Sequence, residues 1–209
     1  MRGTWSCADG GVCSVGDTGP GGGTIYYVNN SGFTCGESRT LTCKYLEVAP
    51  PALGLANWDT DTVNSARRTW AQTLYQTTSV ANFGDTTTAW AIGYGYRNTV
   101  LIINQGNSNP ATSAAALAQS YRGGGYSDWF LPSRTELDTM CYWEASSSCN
   151  QAFTTHNQAA GARGFGAGYY WSSSEVSASV AWIRRFEQGG YQYSDTKSGS
   201  HVVRPIRAF

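Results

Sequence analysis

The last forty residues constrain the fold of this chain more than any other segment. Trp171-Ser172-Ser173-Ser174-Glu175 stands near the start of this segment, and Val203-Arg204-Pro205-Ile206-Arg207 stands near its end. Between them, two alternating patterns at 181–186 and 191–195 flank the pair Gly189-Gly190. Alternation with a period of two predicts strands, and the glycine pair predicts a turn between them. The segment therefore predicts a β-hairpin with one face for the core and one for display.

The two faces of this hairpin differ in composition. Trp182, Arg184 and Phe186 share one face, and its two bulky aromatic rings make it the expected core side. A three-residue turn at 188–190 would place Tyr191 opposite Glu187 and Tyr193 opposite Arg185, although a one-residue slip would exchange the faces. The other face then presents the following side chains to solvent: Ile183, Arg185, Tyr191, Tyr193 and Asp195.

That second face has the composition of a binding surface, because tyrosine offers a large contact area at low entropic cost and arginine offers forked donors. The loops 176–180 and 197–201 are expected to rim it. The predicted ligand-binding residues are Val176, Ser177, Ser179, Val180, Ile183, Arg185, Tyr191, Tyr193, Asp195, Ser198 and His201. The competing interpretation is an ordinary solvated hairpin face.

Charge composition excludes one class of partner. The chain carries 14 basic and 14 acidic residues, so it lacks the basic footprint that holds nucleic acid by counterion release. Twelve of the basic residues are arginine and only Lys44 and Lys197 are lysine. In a chain this rich in tyrosine, tryptophan and glycine, many arginines are expected to hold loops together, although arginine also suits a ligand role.

Six cysteines fall into three close pairs, Cys7/Cys13, Cys35/Cys43 and Cys141/Cys149. Six cysteines allow 15 connectivities, but spacings of six and eight residues suit local bridges. Three disulfides, and hence an oxidising compartment, are the favoured prediction. Buried free thiols in a cytosolic protein are the alternative.

The expected location is extracellular, at a cell or virion surface. No run of 18 apolar residues is present, so the sequence predicts no insertion of this segment into a membrane. No apolar stretch typical of a signal peptide follows Met1. We therefore expect the chain to be a segment of a longer protein.

The remaining elements predict an α+β fold. Strands are expected at 24–28, ended by residues 29–32, and at 45–49. A helix is expected from Asp61 or Thr62 to Leu74, and another at 113–121. The apolar run within 97–105 fits either a helix or a buried strand. Ser133 and Glu136 form a capping box that predicts a helix to Trp143, with Leu137, Met140 and Cys141 on its buried face.

Three sequence elements carry a family resemblance. They are Gly16-Asp17-Thr18-Gly19-Pro20-Gly21-Gly22-Gly23, then Tyr126-Ser127-Asp128-Trp129-Phe130-Leu131-Pro132-Ser133, and the pair of C-terminal motifs at 170–175 and 203–209. In this order they resemble the C-terminal-domain family of bacterial collagen-like adhesins (Lcl). The resemblance covers 16–209 with an insertion at about 57–88, and leaves 1–15 as a disulfide-looped N-terminal segment.

The resemblance implies a fold and a mode of use. This family is a divergent branch of the C-type-lectin fold, with mixed small sheets, two main helices and long loops. Domains of this type serve as variable proteins of diversity-generating retroelements, in which chosen C-terminal positions change while the scaffold stays. The Glu-Pro-Asn and Trp-Asn-Asp triplets of calcium-dependent sugar-binding lectins are absent, so the resemblance implies the fold without that sugar chemistry.

Catalytic chemistry has little support in the sequence. His156 and His201 are the only histidines, and no GxSxG elbow accompanies them. Glu136 and Asp138 are assigned to a helix cap and a helix face. The glycine run 16–23 lacks the Lys-Ser/Thr of a phosphate-binding loop, and no cluster of oxygen ligands predicts calcium. We therefore expect no enzyme activity, no cofactor and no metal.

Three functions remain as hypotheses. The first is a domain whose C-terminal hairpin binds a protein or glycan and is diversified by a retroelement. The second is a non-diversified adhesin that binds polyanionic glycans through arginine. The third is an enzyme of the formylglycine-generating type, which shares this superfold, but its reactive cysteines conflict with the local pairing expected here.

Overall fold

A computed structural model describes residues 6–50, 67–70, 89–145, 168–186 and 191–209. Within these ranges the chain is α+β, as predicted, with three α-helices and eight strands. The strands are β1 Thr24–Cys35, β2 Leu41–Val48, β3 Arg67–Thr69, β4 Tyr169–Glu175, β5 Val180–Arg185, β6 Gln192–Thr196, β7 Ser200–Val202 and β8 Ile206–Ala208. The helices are α1 Gly95–Asn104, α2 Ala114–Ser120 and α3 Arg134–Ala145. None of these three helices has the length and apolar character needed to cross a bilayer.

The strands form two sheets. The small sheet has the order β1-β2-β8, and the large sheet has the order β3-β7-β4-β5-β6. β4 pairs with β7 in parallel, whereas β5 pairs with both β4 and β6 in antiparallel fashion. Because β8 pairs with β2, the C-terminus closes the small sheet and the hairpin lies in the large one.

Both faces of the large sheet are covered near its centre. Helix α3 packs against β4 and β5 on one side, and α1 packs against β4 on the other. Alternation along β4 accordingly places Tyr170 in one apolar cluster, with Phe130 and Met140. The next residue, Trp171, lies in a second cluster with Ile102.

Two of the three described helices, α2 and α3, begin at a serine that caps them. The run 97–105 is resolved as a helix, α1. The Ser113 side chain caps α2 by accepting a hydrogen bond from the Ala116 N–H. At α3 the predicted capping box is confirmed: the Ser133 N–H donates to Glu136 Oε2 at 2.7 Å, and the Glu136 N–H donates to Ser133 Oγ at 3.3 Å. The predicted inner face is confirmed too, since Leu137, Met140 and Cys141 are buried.

Two predicted elements are wrong. Strand β1 does not end at residues 29–32, because an irregular register between Val28 and Phe33 lets it continue to Cys35. The helix expected up to Leu74 is wrong at 67–69, where β3 pairs with β7. Tertiary pairing there overrides a helical pattern. Apart from Trp70, the remaining residues of that predicted helix lie outside the described residues, as does most of the expected insertion at about 57–88.

Disulfides hold the N-terminal region and the small sheet. Cys7 is bonded to Cys13, and Cys35 is bonded to Cys43, as predicted. Cys141 is also in a disulfide, and its expected partner Cys149 lies outside the described residues. No described cysteine is free. The Cys35–Cys43 bridge ties β1 to β2 beside the turn that joins them.

The three resemblance motifs meet at one buried carboxylate, Glu47 of β2. The N–H groups of Gly21 and Gly23 donate to its two oxygens at 3.1 and 2.7 Å, and Arg207 Nη1 lies 3.7 Å away. A Cβ on Gly21 would lie 2.4 Å from the Trp129 ring, so only glycine fits there. We call this arrangement the Glu47 junction.

Candidate functional site

The register of β5 and β6 differs from the prediction by two residues. Tyr193 lies opposite Ile183, not Arg185, and the Arg185 N–H donates to the Tyr191 carbonyl at 3.2 Å. A shift of two residues preserves the faces, because side chains alternate with a period of two. Arg185, Tyr191, Tyr193 and Asp195 therefore still share one face. The predicted turn at 188–190 lies outside the described residues.

Strand pairing extends this face into cross-strand rows. In one row, Tyr169 of β4 lies opposite Arg185 of β5. Tyr191 lies on the other side of Arg185, across the hairpin. Trp171 lies opposite Ile183, which is followed by Tyr193. We define the tyrosine surface as the solvent-facing residues of these rows together with two adjoining side chains, those of Asp195 and His201. It consists of Tyr169, Arg185, Tyr191, Tyr193, Asp195 and His201.

Ring contacts order the tyrosine surface. Tyr193 packs edge-on against Tyr169 at 5.8 Å between ring centroids and against Tyr191 at 6.2 Å. The Arg185 guanidinium lies 5.8 Å from the centre of the Tyr169 ring. Tyr191 nevertheless keeps 56% of its surface exposed and Tyr193 keeps 39%. The rings are held by neighbours and still face solvent.

One predicted surface residue is buried instead. Ile183 is only 5% exposed and packs in the cluster that contains Trp70, Trp171 and Ile102. The prediction that Ile183 faces solvent is wrong. The reason is that Trp70 and α1 also cover this side of the large sheet, so only its edge near β6 remains open.

The opposite face of the hairpin is the predicted core side and packs on α3. Phe186 is fully buried, and Arg184 is 6% exposed and bonded to Asp138 at 2.6 Å. Trp182 is only partly buried. Its ring and that of Trp90 each contact the Arg134 guanidinium, at 4.0 and 4.5 Å. These contacts fix the hairpin from behind.

The two rim loops are tied to each other through Lys197. Its N–H donates to the Ser179 carbonyl at 2.8 Å, and its ammonium group bonds Glu175 at 2.6 Å with both side chains fully buried. The ammonium also lies 4.3 Å from the centre of the Trp70 ring. Burial lowers the pKa of Lys197, and the Glu175 carboxylate opposes this effect.

The predicted rim residues occupy two different levels of exposure. Ser179 and Ser198 are exposed at the loop tips, while Val176, Ser177 and Val180 are half-buried. The last three lie in a tight turn, in which the Val176 N–H donates to the Val180 carbonyl at 2.9 Å. These loops stand at the end of the hairpin away from Tyr191. With about 3.3 Å per residue, Tyr191 and Asp195 are roughly 13 Å apart along β6. The predicted residues therefore form an elongated surface.

Asp195 and His201 join the rim loops to the tyrosines. His201 Nε2 lies 2.7 Å from Asp195 Oδ2, and the imidazole packs 4.6 Å from the Trp171 ring and 5.6 Å from the Tyr169 ring. Burial acts to raise the pKa of Asp195, but hydrogen bonds from His201 and the Thr196 N–H outweigh it and lower that pKa. The pair keeps Asp195 ionised within an aromatic surface.

Sequence reasoning missed two residues of this region. Tyr169 contributes a ring to the surface, and Trp171 supports His201 from beneath. Both belong to β4, and the pairing of β4 with β5 places them on this face. Extending the alternation argument from the hairpin to the strand before it would have found them.

Comparison with known families identifies the chain. The model of the Lcl C-terminal domain matches residues 56–207, which is most of the sequence.

The chain belongs to the Lcl C-terminal domain family.

This membership confirms the resemblance and suggests an adhesin-like domain. A search of curated proteins finds no match. The matched range contains the whole tyrosine surface, but it begins after β2 and so excludes Glu47. In this Lcl C-terminal domain the described residues contain no group of three or more His, Cys, Asp or Glu side chains placed to hold a metal ion.

Proposed function

We propose that this chain is a non-enzymatic, extracellular binding domain that captures a protein or glycan on the tyrosine surface. The observation that carries the proposal is the exposure of Tyr191 and Tyr193 beside β5, whose residues Ala181 and Ile183 on the same side of the sheet are buried. Aromatic rings that are already ordered lose little entropy on binding, so they suit the centre of an interface. The disulfides are compatible with an oxidising compartment.

The scaffold of this proposal is a C-type-lectin-like fold. Two small sheets, helices on both faces of the larger one and a sheet closed by the C-terminal strand support it. All members of the tyrosine surface except Tyr169 lie between the two C-terminal motifs. Substitution at exposed residues there would leave the Glu47 junction untouched, which is what diversification by a retroelement requires.

Arginine chemistry gives the polyanionic-glycan alternative less support. Most arginines with described side chains hold the protein together: Arg134 contacts two tryptophans, Arg184 bonds Asp138 and Arg207 bonds Asp128. Arg204 donates to the Ala49 carbonyl while fully buried. Arg185 is the guanidinium of the tyrosine surface, and a single guanidinium on a surface that also carries the Asp195 carboxylate makes a poor polyanion site.

The binding proposal is tested by selecting a ligand and then removing the rings. Panels of immobilised glycans and of cell-surface proteins provide the ligand, and its affinity is measured for Tyr191→Ala and Tyr193→Ala. We expect each substitution to weaken binding about tenfold or more, as central interface aromatics do. Tyr142→Ala is the matched control, because Tyr142 is an equally exposed tyrosine on α3 at 51%. Equal losses in all three variants would contradict the proposal.

The alternative has its own signature. Immobilised heparin serves as the polyanionic probe, and binding is measured from low to high salt. A polyanion site loses affinity steeply with salt, whereas a tyrosine-centred site changes little. Tight, strongly salt-dependent binding that persists in Tyr191→Ala would favour the alternative.

Diversification has a genetic test that is separate from binding. We expect a near-copy of the 3′ end of the gene, differing mainly at adenines, next to a reverse transcriptase. A gene without such a copy would contradict diversification and leave the binding proposal in place.

A further inference from the structure

A second concave site lies on the small sheet, away from the tyrosine surface. It is a pocket of about 280 Å³ between the turn of the β1–β2 hairpin and the start of α1. The main lining side chains are Glu37, Leu41, Tyr96, Asp128, Phe130 and the Cys35–Cys43 disulfide. None of these residues belongs to the predicted ligand-binding set, and the family match assigns them no role.

The inner part of the pocket is apolar and rigid. Phe130 is 2% exposed, and both cysteines of the bridge are buried. The Tyr96 ring packs edge-on against Phe130 at 5.7 Å. Leu41 lines the pocket and is 63% exposed. These walls suit an aliphatic chain that enters beside Leu41 and crosses the aromatic rings.

Two carboxylates supply the polar part of the pocket. Asp128 bonds Arg207 Nε through Oδ1 at 2.6 Å, and among the described residues its other oxygen has no partner. Glu37 is exposed and likewise bonds no residue in the described part of the chain. Each carboxylate therefore retains acceptor capacity towards a ligand.

The nearby cations do not cancel this negative potential at Tyr96. Arg207 is shared between Asp128 and Glu47, and Arg39 is stacked on the Tyr94 ring. Arg97 lines the adjoining cavity, which Glu37 also borders, and is not among the described residues that line this pocket. Burial raises the pKa of Tyr96, and the negative charges of Glu37 and Asp128 raise it further, so the phenol ring lies in a negative field.

We propose that this pocket binds an alkylammonium group, presented either by a lysine side chain of a partner protein or by a small primary amine. The methylenes lie along Leu41 and Tyr96, and the ammonium donates to Glu37 and Asp128. Lysine side chains bury their stems on apolar surface in this way and keep the charge at the edge. A ring face beside the cation adds attraction.

The size of the pocket limits the ligand. Pockets for drug-sized molecules hold roughly 300–1,000 Å³, so a volume of about 280 Å³ suits one side chain and not a sugar chain. Two carboxylates at the mouth disfavour anionic groups. An uncharged aliphatic chain would make no favourable electrostatic interaction with either carboxylate. The site is independent of the tyrosine surface, so either can fail while the other holds.

The test is an NMR titration of the whole domain with Nα-acetyl-lysine methylamide. We expect amide shifts at Glu37, Tyr96 and Asp128 that saturate with a Kd in the millimolar range, as roughly one side chain of contact provides. The norleucine analogue keeps the four side-chain carbons of lysine, lacks the ammonium group and should bind at least fivefold more weakly. Equal binding of both probes, or shifts confined to other residues, would overturn the proposal.

Charge removal sharpens the test. Glu37→Gln should weaken binding of the lysine probe about threefold, the size expected for one exposed ion pair. Its melting temperature should stay unchanged, because the side chain is exposed and unbonded to the described residues. Asp9→Asn removes an exposed carboxylate near the N-terminus and serves as the control, with unchanged binding expected. Tighter binding of the corresponding glutamate probe would reverse the charge assignment and overturn the site.

Two further probes distinguish the sources of the ammonium. Binding of the peptide Ala-Lys-Ala that is several-fold tighter than that of n-butylamine supports a lysine of a protein partner. The reverse order supports a small amine. Failure of both probes to saturate the pocket residues overturns the proposal.

Discussion

The Glu47 junction and the tyrosine surface differ in almost every physical respect. The junction is closed, with a fully buried carboxylate bonded to two backbone N–H groups. The tyrosine surface is open, and its rings keep large exposed areas. The junction contains residues of the sequence motifs that indicate the family. The tyrosine surface contains the residues that we propose bind a ligand.

This contrast indicates that the recognisable motifs consist of residues that constrain one another sterically. Gly21, Glu47 and Trp129 constrain one another sterically, so few other residues fit. Within the described part of the chain, the ring contacts of Tyr191 and Tyr193 are with each other and with Tyr169, so we expect the fold to tolerate other side chains there. The family match begins after Glu47, yet β2 supplies that residue and pairs with β8 inside the matched range. The scaffold therefore extends beyond the segment that the family model matches.

The largest effect on stability is expected at the junction. Glu47→Ala leaves two buried N–H groups without their acceptor and removes one of the two carboxylates beside Arg207, which costs about 3 kcal/mol of unfolding free energy. Denaturant unfolding measures this loss. Glu37→Ala, which removes an exposed carboxylate, should change the same quantity by less than about 0.5 kcal/mol. Similar small losses in both variants would erase the contrast between closed and open regions.

A somewhat smaller effect is expected beneath the rim loops. Lys197→Met removes the buried partner of Glu175 and should cost about 2–3 kcal/mol. The double variant Lys197→Met/Glu175→Leu should recover part of that loss, because no buried charge then lacks its counter-ion. If the double variant is as unstable as the sum of the two single ones, the ion pair is not what holds these loops.

The titration of Glu136 in the scaffold predicts that the free energy of unfolding depends on pH. Burial raises its pKa from the usual 4.5 to about 7, and N–H groups of Ser133 and Gly93 partly oppose the rise. The folded state thus holds the proton more tightly than the unfolded state. Its stabilising contribution is complete below about pH 4.5 and is lost as the pH rises to about 7, by on the order of 3 kcal/mol.

Unfolding free energies measured between pH 4.5 and 8 test this effect. Glu136→Gln should be less stable than the parent at low pH and should lack this decline. A variant that keeps the full decline would assign it to another group.

Sequence patterns predicted the structure correctly where residues close together in the chain determine it. The capping box at Ser133 and Glu136, the alternating hairpin and two local disulfides followed from the sequence. Tertiary causes were missed. Nothing near Arg67 reveals that β7 pairs with it, and nothing near Ile183 reveals that Trp70 and α1 cover it. The two-residue register shift also depends on a turn whose length alternation cannot define.

The same division applies to the candidate site. Alternation identified Arg185, Tyr191, Tyr193 and Asp195 as members of one face, and a two-residue shift leaves that result intact. Tyr169 required knowledge of strand order, since β4 and β6 meet only through β5. Ligand identity depends on atoms outside the chain, so neither alternation nor strand order supplies it.

The smallest effect on stability and the largest on function are expected from the double variant Tyr191→Ala/Tyr193→Ala. Unfolding free energy and ligand affinity, measured on the same sample, test the central claim most directly. We predict a stability change within about 1 kcal/mol, because both rings are exposed, together with loss of ligand binding. A stability loss comparable to that of Glu47→Ala with binding retained would contradict the account.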